Sequence, residues 1–88
     1  MGGRLFNTRG VVKKLIIYNT LGCHLCEQAL DLILPLIDKG DIIEAVDIGD
    51  SDDLIELYGI RIPVVVRDDN GSEIGWPFDK SQFLVFLR

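Results

Sequence analysis

Lys13-Lys14-Leu15-Ile16-Ile17-Tyr18-Asn19-Thr20-Leu21-Gly22-Cys23-His24-Leu25-Cys26 is the stretch that decides the fold. Its first half, Lys13 to Tyr18, is a short apolar run of strand character, and the segment from about His24 to Asp38 has the pattern of a helix. The two cysteines of the 88-residue chain stand at the junction. A Cys-x-x-Cys beside a βαβ pattern reads as a redox dithiol. Stapling is the weaker use of such a pair. A disulfide closing four residues restrains the unfolded chain by only about 2 kcal/mol, against about 4.7 for a hundred-residue loop.

In the helical segment, Glu27, Gln28, Asp31 and Asp38 fall near one stripe, with Leu25, Ala29, Leu30, Leu32, Ile33, Leu34, Leu36 and Ile37 around the rest. A helix so widely apolar is expected to be mostly buried. Pro35 lies inside it and is expected to kink it, and Gly40 to cap its end. Ile42 to Ile48 reads as a second strand, joined to the first by a parallel, right-handed crossover.

Asp50 or Ser51 can cap a short second helix with Asp52 and Asp53 in its first turn, Gly59 at its end and Leu54, Leu57 and Tyr58 on its buried face. Ile62 to Arg67 and Ser72 to Trp76 flank Asp68-Asp69-Asn70-Gly71, where Asn-Gly signals a tight hairpin turn. Asp79 caps a last helix, with Gln82 completing a capping box and Phe78 placed to staple against Phe83. Phe83, Phe86 and Leu87 then face the sheet. The order βαβαββα is that of an α/β protein with a thioredoxin-like fold, a four-stranded mixed sheet covered by helices. A flexible arm is expected at residues 1–10 and a single domain at 11–88.

A hydrophobic fraction of 48% fits a well-buried sheet and excludes a disordered chain. The formal net charge is -5, and residues 41–88 hold eleven of the fourteen acidic side chains, which argues against a nucleic-acid partner. No stretch reaches the roughly 18 apolar residues of a membrane span, and Met1 to Gly10 lacks the apolar core of a secretory signal. A cytoplasmic location and a monomer are the expectations. The acidic run from Asp47 to Asp53 lacks the ligand spacing of a calcium loop, and no metal or organic cofactor is called for.

A thiol attacks disulfides as its thiolate. At an ordinary pKa of about 8.5 roughly 3% is ionised at pH 7, against half at a pKa of about 7. A helix start favours that shift, though the dipole contributes only about 0.3 to 1 kcal/mol, so backbone N–H groups and the second thiol must supply the rest. Cys23 precedes the first turn and is expected to be exposed, as the nucleophile. Cys26, three residues on, is placed to resolve a mixed disulfide. His24, as an imidazolium, would stabilise the thiolate. Glu27, at i+4 from Cys23, would disfavour it or accept a proton from Cys26.

Ile17 to Cys26 resembles the strand-loop-CxxC segment of glutaredoxins, with Tyr18, Gly22 and both cysteines matching position for position. Ile62-Pro63 resembles the hydrophobic-cis-proline pair of the wider superfamily. The resemblance implies that Pro63 lies opposite the CxxC and that the Ile62 backbone meets an incoming peptide or glutathione. It covers about residues 13–88, and Trp76-Pro77-Phe78-Asp79 is similar to a small group of glutaredoxin-like proteins. The activity implied is thiol-disulfide exchange on protein or glutathione mixed disulfides, with glutathione as a possible co-substrate.

The chain departs from typical glutaredoxins at Thr20, where they have a basic residue, at His24, where they have Pro, and at Leu25, where they have Tyr. It also lacks their Gly-Gly pair before the last helix. No Lys or Arg occurs between Lys14 and Lys39, which leaves His24, Arg61 and Lys80 as candidates to steer an anion. Two other readings remain open from the residues. One is a metal or iron-sulfur carrier that joins the CxxC thiolates to further ligands across a dimer. The other is a redox-inactive interaction module that binds an extended peptide near Pro63.

Overall fold

The computed structural model describes residues 14–88. The proposed arm at 1–10 therefore lies outside the described residues. The elements are β1 (Lys14–Asn19), α1 (His24–Ile33), β2 (Ile42–Asp47), α2 (Asp52–Tyr58), β3 (Val64–Arg67), β4 (Glu73–Gly75) and α3 (Lys80–Phe86). The sheet order is β2-β1-β3-β4. β1 and β2 pair in parallel, with Asn19 opposite Asp47, while β3 runs antiparallel to β1, with Tyr18 opposite Val64. β4 closes the sheet antiparallel to β3, with Val64 opposite Gly75. This is the mixed four-stranded thioredoxin-like sheet.

Alternation along the strands divides the interior in two. On one face Leu15, Ile17 and Val65 pack with Ala29 and Ile33 of α1 and with Phe78, Phe83 and Leu87. On the other, Tyr18, Val64 and Val66 pack with Ile48, Leu54 and Tyr58. Each fully buried aliphatic side chain here is worth about 1.5 to 3 kcal/mol relative to exposure. The Tyr18 and Tyr58 rings stack at 4.3 Å, fixing α2 over the end of β1. Burial, with Glu73 nearby, pushes the Tyr58 hydroxyl up.

Several local expectations are revised. α1 ends at Ile33, and Pro35 sits in the first turn of a separate 3-10 segment, Leu34–Leu36, so the proline stops the α-helix instead of kinking it. Gly40 then lies in a turn beyond that segment and caps no helix. α1 buries only the stripe Cys26, Ala29 and Ile33, because a four-stranded sheet and one neighbouring helix cover a single side of it. Leu57 is exposed. It lies about 100° from Tyr58 around a helix whose contact line runs through Leu54 and Tyr58. β2 stops at Asp47, whose carboxylate accepts the Gly49 N–H at 2.8 Å and turns the chain into a 3-10 segment.

The hairpin loop spans the four residues Asp68 to Gly71, as read from sequence. The Arg67 N–H donates to Ser72 and the Gly71 N–H to Arg67, so Gly71, at φ +74°, closes the loop from its last position. A left-handed backbone is where glycine carries no penalty. Ile62 and Pro63 precede β3 instead of opening it. The caps follow the sequence. Ser51 accepts the Leu54 N–H, Asp79 and Gln82 form the reciprocal box, and Phe78 stacks on Phe83 at 5.5 Å.

Arg67 is the buried charged residue of the described core. Its guanidinium grips both Asp69 oxygens at 3.0 and 2.6 Å and donates to the carbonyls of Phe86 and Arg88 at 2.8 and 2.6 Å. The hairpin is thereby tied to the end of α3, where a cation also meets the negative end of the helix dipole. We expect Arg67→Met to lower the unfolding free energy in a urea titration by about 2 kcal/mol, since it removes charge-assisted hydrogen bonds to two part-buried carbonyls and a half-exposed carboxylate. An unchanged midpoint would exclude the clamp as a stabilising contact. Hydrogen bonding to Arg67 holds the Asp69 carboxyl below its ordinary value of 3.8. Its contribution is complete above that value and is lost as pH falls through the depressed folded-state pKa. Asp69→Asn should therefore flatten the loss of stability in acid relative to wild type.

Candidate active site

The site stands where β1 runs into α1. Gly22, at φ +78°, reverses the chain in the left-handed region, and the Cys23 N–H donates back to the Thr20 carbonyl at 3.3 Å. Cys23 is the N-cap residue of α1 with extended backbone, and its sulfur accepts the Cys26 N–H at 3.1 Å. Sulfur thus occupies the place usually held by a Ser or Asp oxygen. Cys23 is half-buried and Cys26 is only 3% exposed. The two sulfurs are joined in a disulfide, with the Cα atoms 5.3 Å apart. One cysteine of the pair meets solvent and the other is sealed beneath the first turn.

A pocket of about 270 Å³ opens beside the disulfide on the β1–β2 side, with Cys23, Cys26, Glu27, Leu30, Thr20 and Asp47 in its lining. Thr20 Oγ1 donates to the Asp47 carboxylate at 3.2 Å, bridging the β1–α1 loop to the end of β2. His24 is 87% exposed and its Nδ1 stands 4.0 Å from the Glu27 carboxylate. At that distance and exposure the pair contributes little.

Pro63 follows a cis peptide bond from Ile62 and is buried at the entrance of β3. The register, one step beyond Tyr18 opposite Val64, puts it beside Asn19 at the same end of the sheet as the cysteines. The Ile62 N–H is already taken by the Tyr58 carbonyl at 3.0 Å, and the Pro63 carbonyl accepts the Trp76 N–H at 3.1 Å. Arg61 is turned away. Its guanidinium lies 5.2 Å over the Tyr58 ring, pairs with Glu73 at 3.2 Å and donates from Nε to the Leu57 carbonyl.

Of the residues singled out from sequence, Cys23, Cys26 and Glu27 come together in one pocket, while Arg61, Ile62 and Pro63 do not line it. Asp47 was missed. It reads as an ordinary strand residue, and only the parallel register of β1 and β2 carries it to the cysteines.

A thioredoxin-like sheet with a Cys-x-x-Cys at the start of its first helix defines a protein of the thiol-redox kind. The description Glutaredoxin-like domain (DUF836) matches residues 14–88, and the chain belongs to that family. It is similar to the solved structure of target protein XcR50 from X. campestris, with 34% identity over 83% of this chain and 93% of that one and a TM-score of 0.73. Protein Ne2328 from Nitrosomonas europaea shares 26% identity over 92% of this chain and 98% of its own, with a TM-score of 0.77. A thioredoxin from Thermus thermophilus, at 15% identity and a TM-score of 0.56 over 88% of this chain and 72% of its own, shares the fold. A search of curated proteins found no match.

Gly22 offers a direct check on how the loop positions the sulfur. A Cβ there would meet no atom within 4 Å, so the cost of Gly22→Ala is the left-handed backbone alone, about 1 kcal/mol. Thermal unfolding should show that loss, and Gly22→Asn should recover part of it because Asn tolerates this region better.

Proposed function

We propose that the protein is a thiol-disulfide oxidoreductase that reduces protein or glutathione mixed disulfides, with Cys23 as nucleophile and Cys26 as resolving thiol. The observation that carries the reading is the Cys26 N–H aimed at the Cys23 sulfur, beside a buried partner sulfur close enough to bond. An amide already directed at sulfur stabilises a thiolate without reorganisation, and a hydrogen bond to a charged acceptor is worth about 1.5 to 3 kcal/mol. Added to the helix dipole, this favours ionisation of Cys23.

In the cycle, the Cys23 thiolate attacks one sulfur of a substrate disulfide. A Cys23–substrate disulfide forms, and the other substrate sulfur leaves as a thiolate that takes up a proton. Cys26 then gives up its proton and attacks the Cys23 sulfur, releasing the second substrate thiol. The substrate gains two electrons and two protons, and the protein is left as the Cys23–Cys26 disulfide, to be reduced again by a thiol donor. Glu27, in the same pocket, is the group proposed to receive the Cys26 proton. His24, exposed at the helix start, tunes the thiolate.

Ile62 and Pro63 form the proposed substrate edge, where the Ile62 N–H is already engaged by Tyr58 and the Ile62 carbonyl is the group proposed to meet the substrate. Arg61 reaches substrate only by leaving Glu73. The proposed setting is a monomer in the reducing cytoplasm, using no metal or organic cofactor. Among the described residues no helix is long and apolar enough to cross a membrane, and no three His, Cys, Asp or Glu side chains cluster to hold a metal. A carrier role would thus need ligands beyond those that the described residues bring together.

Equilibration with reduced and oxidised glutathione, followed by acid trapping, alkylation and intact mass, tests the proposal. A two-electron transition near about -200 to -270 mV is expected. Cys26→Ser should accumulate a mixed disulfide on Cys23, and Cys23→Ser should accumulate none. Thiols that stay unreactive through the whole series would sink the reading.

A further inference from the structure

Resting on the oxidoreductase reading, we infer that the site selects disulfides flanked by positive charge, such as a basic segment of a partner protein, over the anionic glutathione disulfide. The pocket beside the cysteines is lined by two carboxylates, Glu27 and Asp47, and by no lysine or arginine. Asp47 is held there by the Thr20 hydroxyl and the Gly49 N–H, so its charge is fixed to the loop that carries Cys23.

The cations that could oppose these carboxylates are placed elsewhere among the described residues. Lys14 begins β1, at the far end of that strand, where it pairs with Glu44 at 3.1 Å. Lys39 follows α1, which leads away from the cysteines, and Arg67 is buried at the end of β3 remote from Tyr18, with Arg88 beside it. Arg61 is neutralised by Glu73 and stacked on Tyr58. Lys80 does stand at the site end of the sheet, but it follows β4, two strands beyond β1. It is not among the residues that line the pocket. His24 is exposed and is not among the residues that line the pocket. Among the described residues, a charged group seated next to Cys23 on the β2 side therefore meets the Glu27 and Asp47 carboxylates at short range.

The test uses the reduced full-length chain and three small disulfides: cystamine, a dication; glutathione disulfide, a dianion; and neutral hydroxyethyl disulfide. Rates of Cys23–Cys26 oxidation are followed by acid quench and mass, each divided by the rate of the same disulfide with 2-mercaptoethanol to remove intrinsic reactivity. Cystamine is expected to exceed glutathione disulfide by about tenfold at low ionic strength, the lower end of electrostatic steering, and the ratio should shrink toward unity at high salt. The double change Glu27→Gln, Asp47→Asn should cut the ratio severalfold. If that variant fails to fold, the salt dependence of the wild-type protein decides the question.

A glutathione disulfide rate equal to or above that of cystamine overturns the inference, as does a preference indifferent to salt. Provided hydroxyethyl disulfide still oxidises the pair, either result leaves the oxidoreductase reading standing. Failure of all three disulfides to oxidise the pair takes both down.

Discussion

One backbone amide, that of Cys26, gives its hydrogen to the Cys23 sulfur at the mouth of α1. Helix starts leave amides without intrahelical partners, and a side chain at the N-cap usually answers with oxygen. Here sulfur answers, so the contact that closes the helix also aims an amide at the Cys23 sulfur. Gly22 at positive φ and the Cys23–Thr20 turn bring the end of β1 round so that the cap residue faces the first turn. Cys26 is then buried by the same geometry that lets its amide reach back.

The sheet order makes this junction a meeting place. β1 lies between a parallel and an antiparallel neighbour, so its end adjoins the end of β2 on one side and the start of β3 on the other. The first supplies a carboxylate, Asp47, and the second a buried proline, Pro63. The two flanks differ in character. The β2 flank is a polar, acidic pocket, while the β3 flank is backbone and ring, with Ile62, Pro63 and Trp76 joined by main-chain bonds. The opposite end of the sheet carries the structural charge, where Arg67 secures the hairpin to α3. Chemistry and anchoring are thus separated by the length of the strands.

Much of the fold was legible because its signals are local. Ser51, Asp79 with Gln82, Phe78 with Phe83, and the Cys-x-x-Cys at a helix start all act over three to five residues, a span that the chain displays directly. The Asp68–Gly71 loop is legible in the same way, whereas Pro35 reads as a kink and in the structure ends the helix. A proline can kink or stop a helix. The outcome depends on what packs on either side. The breadth of the apolar pattern in α1 likewise overstated burial, since apolar residues are buried only where a partner covers them.

By itself the sequence determined the element order, the caps and the placement of two cysteines on the first turn of a helix, because these follow from contacts between near neighbours in the chain. The tertiary structure alone decided which distant groups surround them. It brought Asp47 to the pocket through strand register, tied Arg61 to Glu73 across the sheet and buried Arg67 beneath α3. The physical reason is that charge and desolvation act through space, and residues a dozen or more positions apart become neighbours only once the sheet has chosen its order.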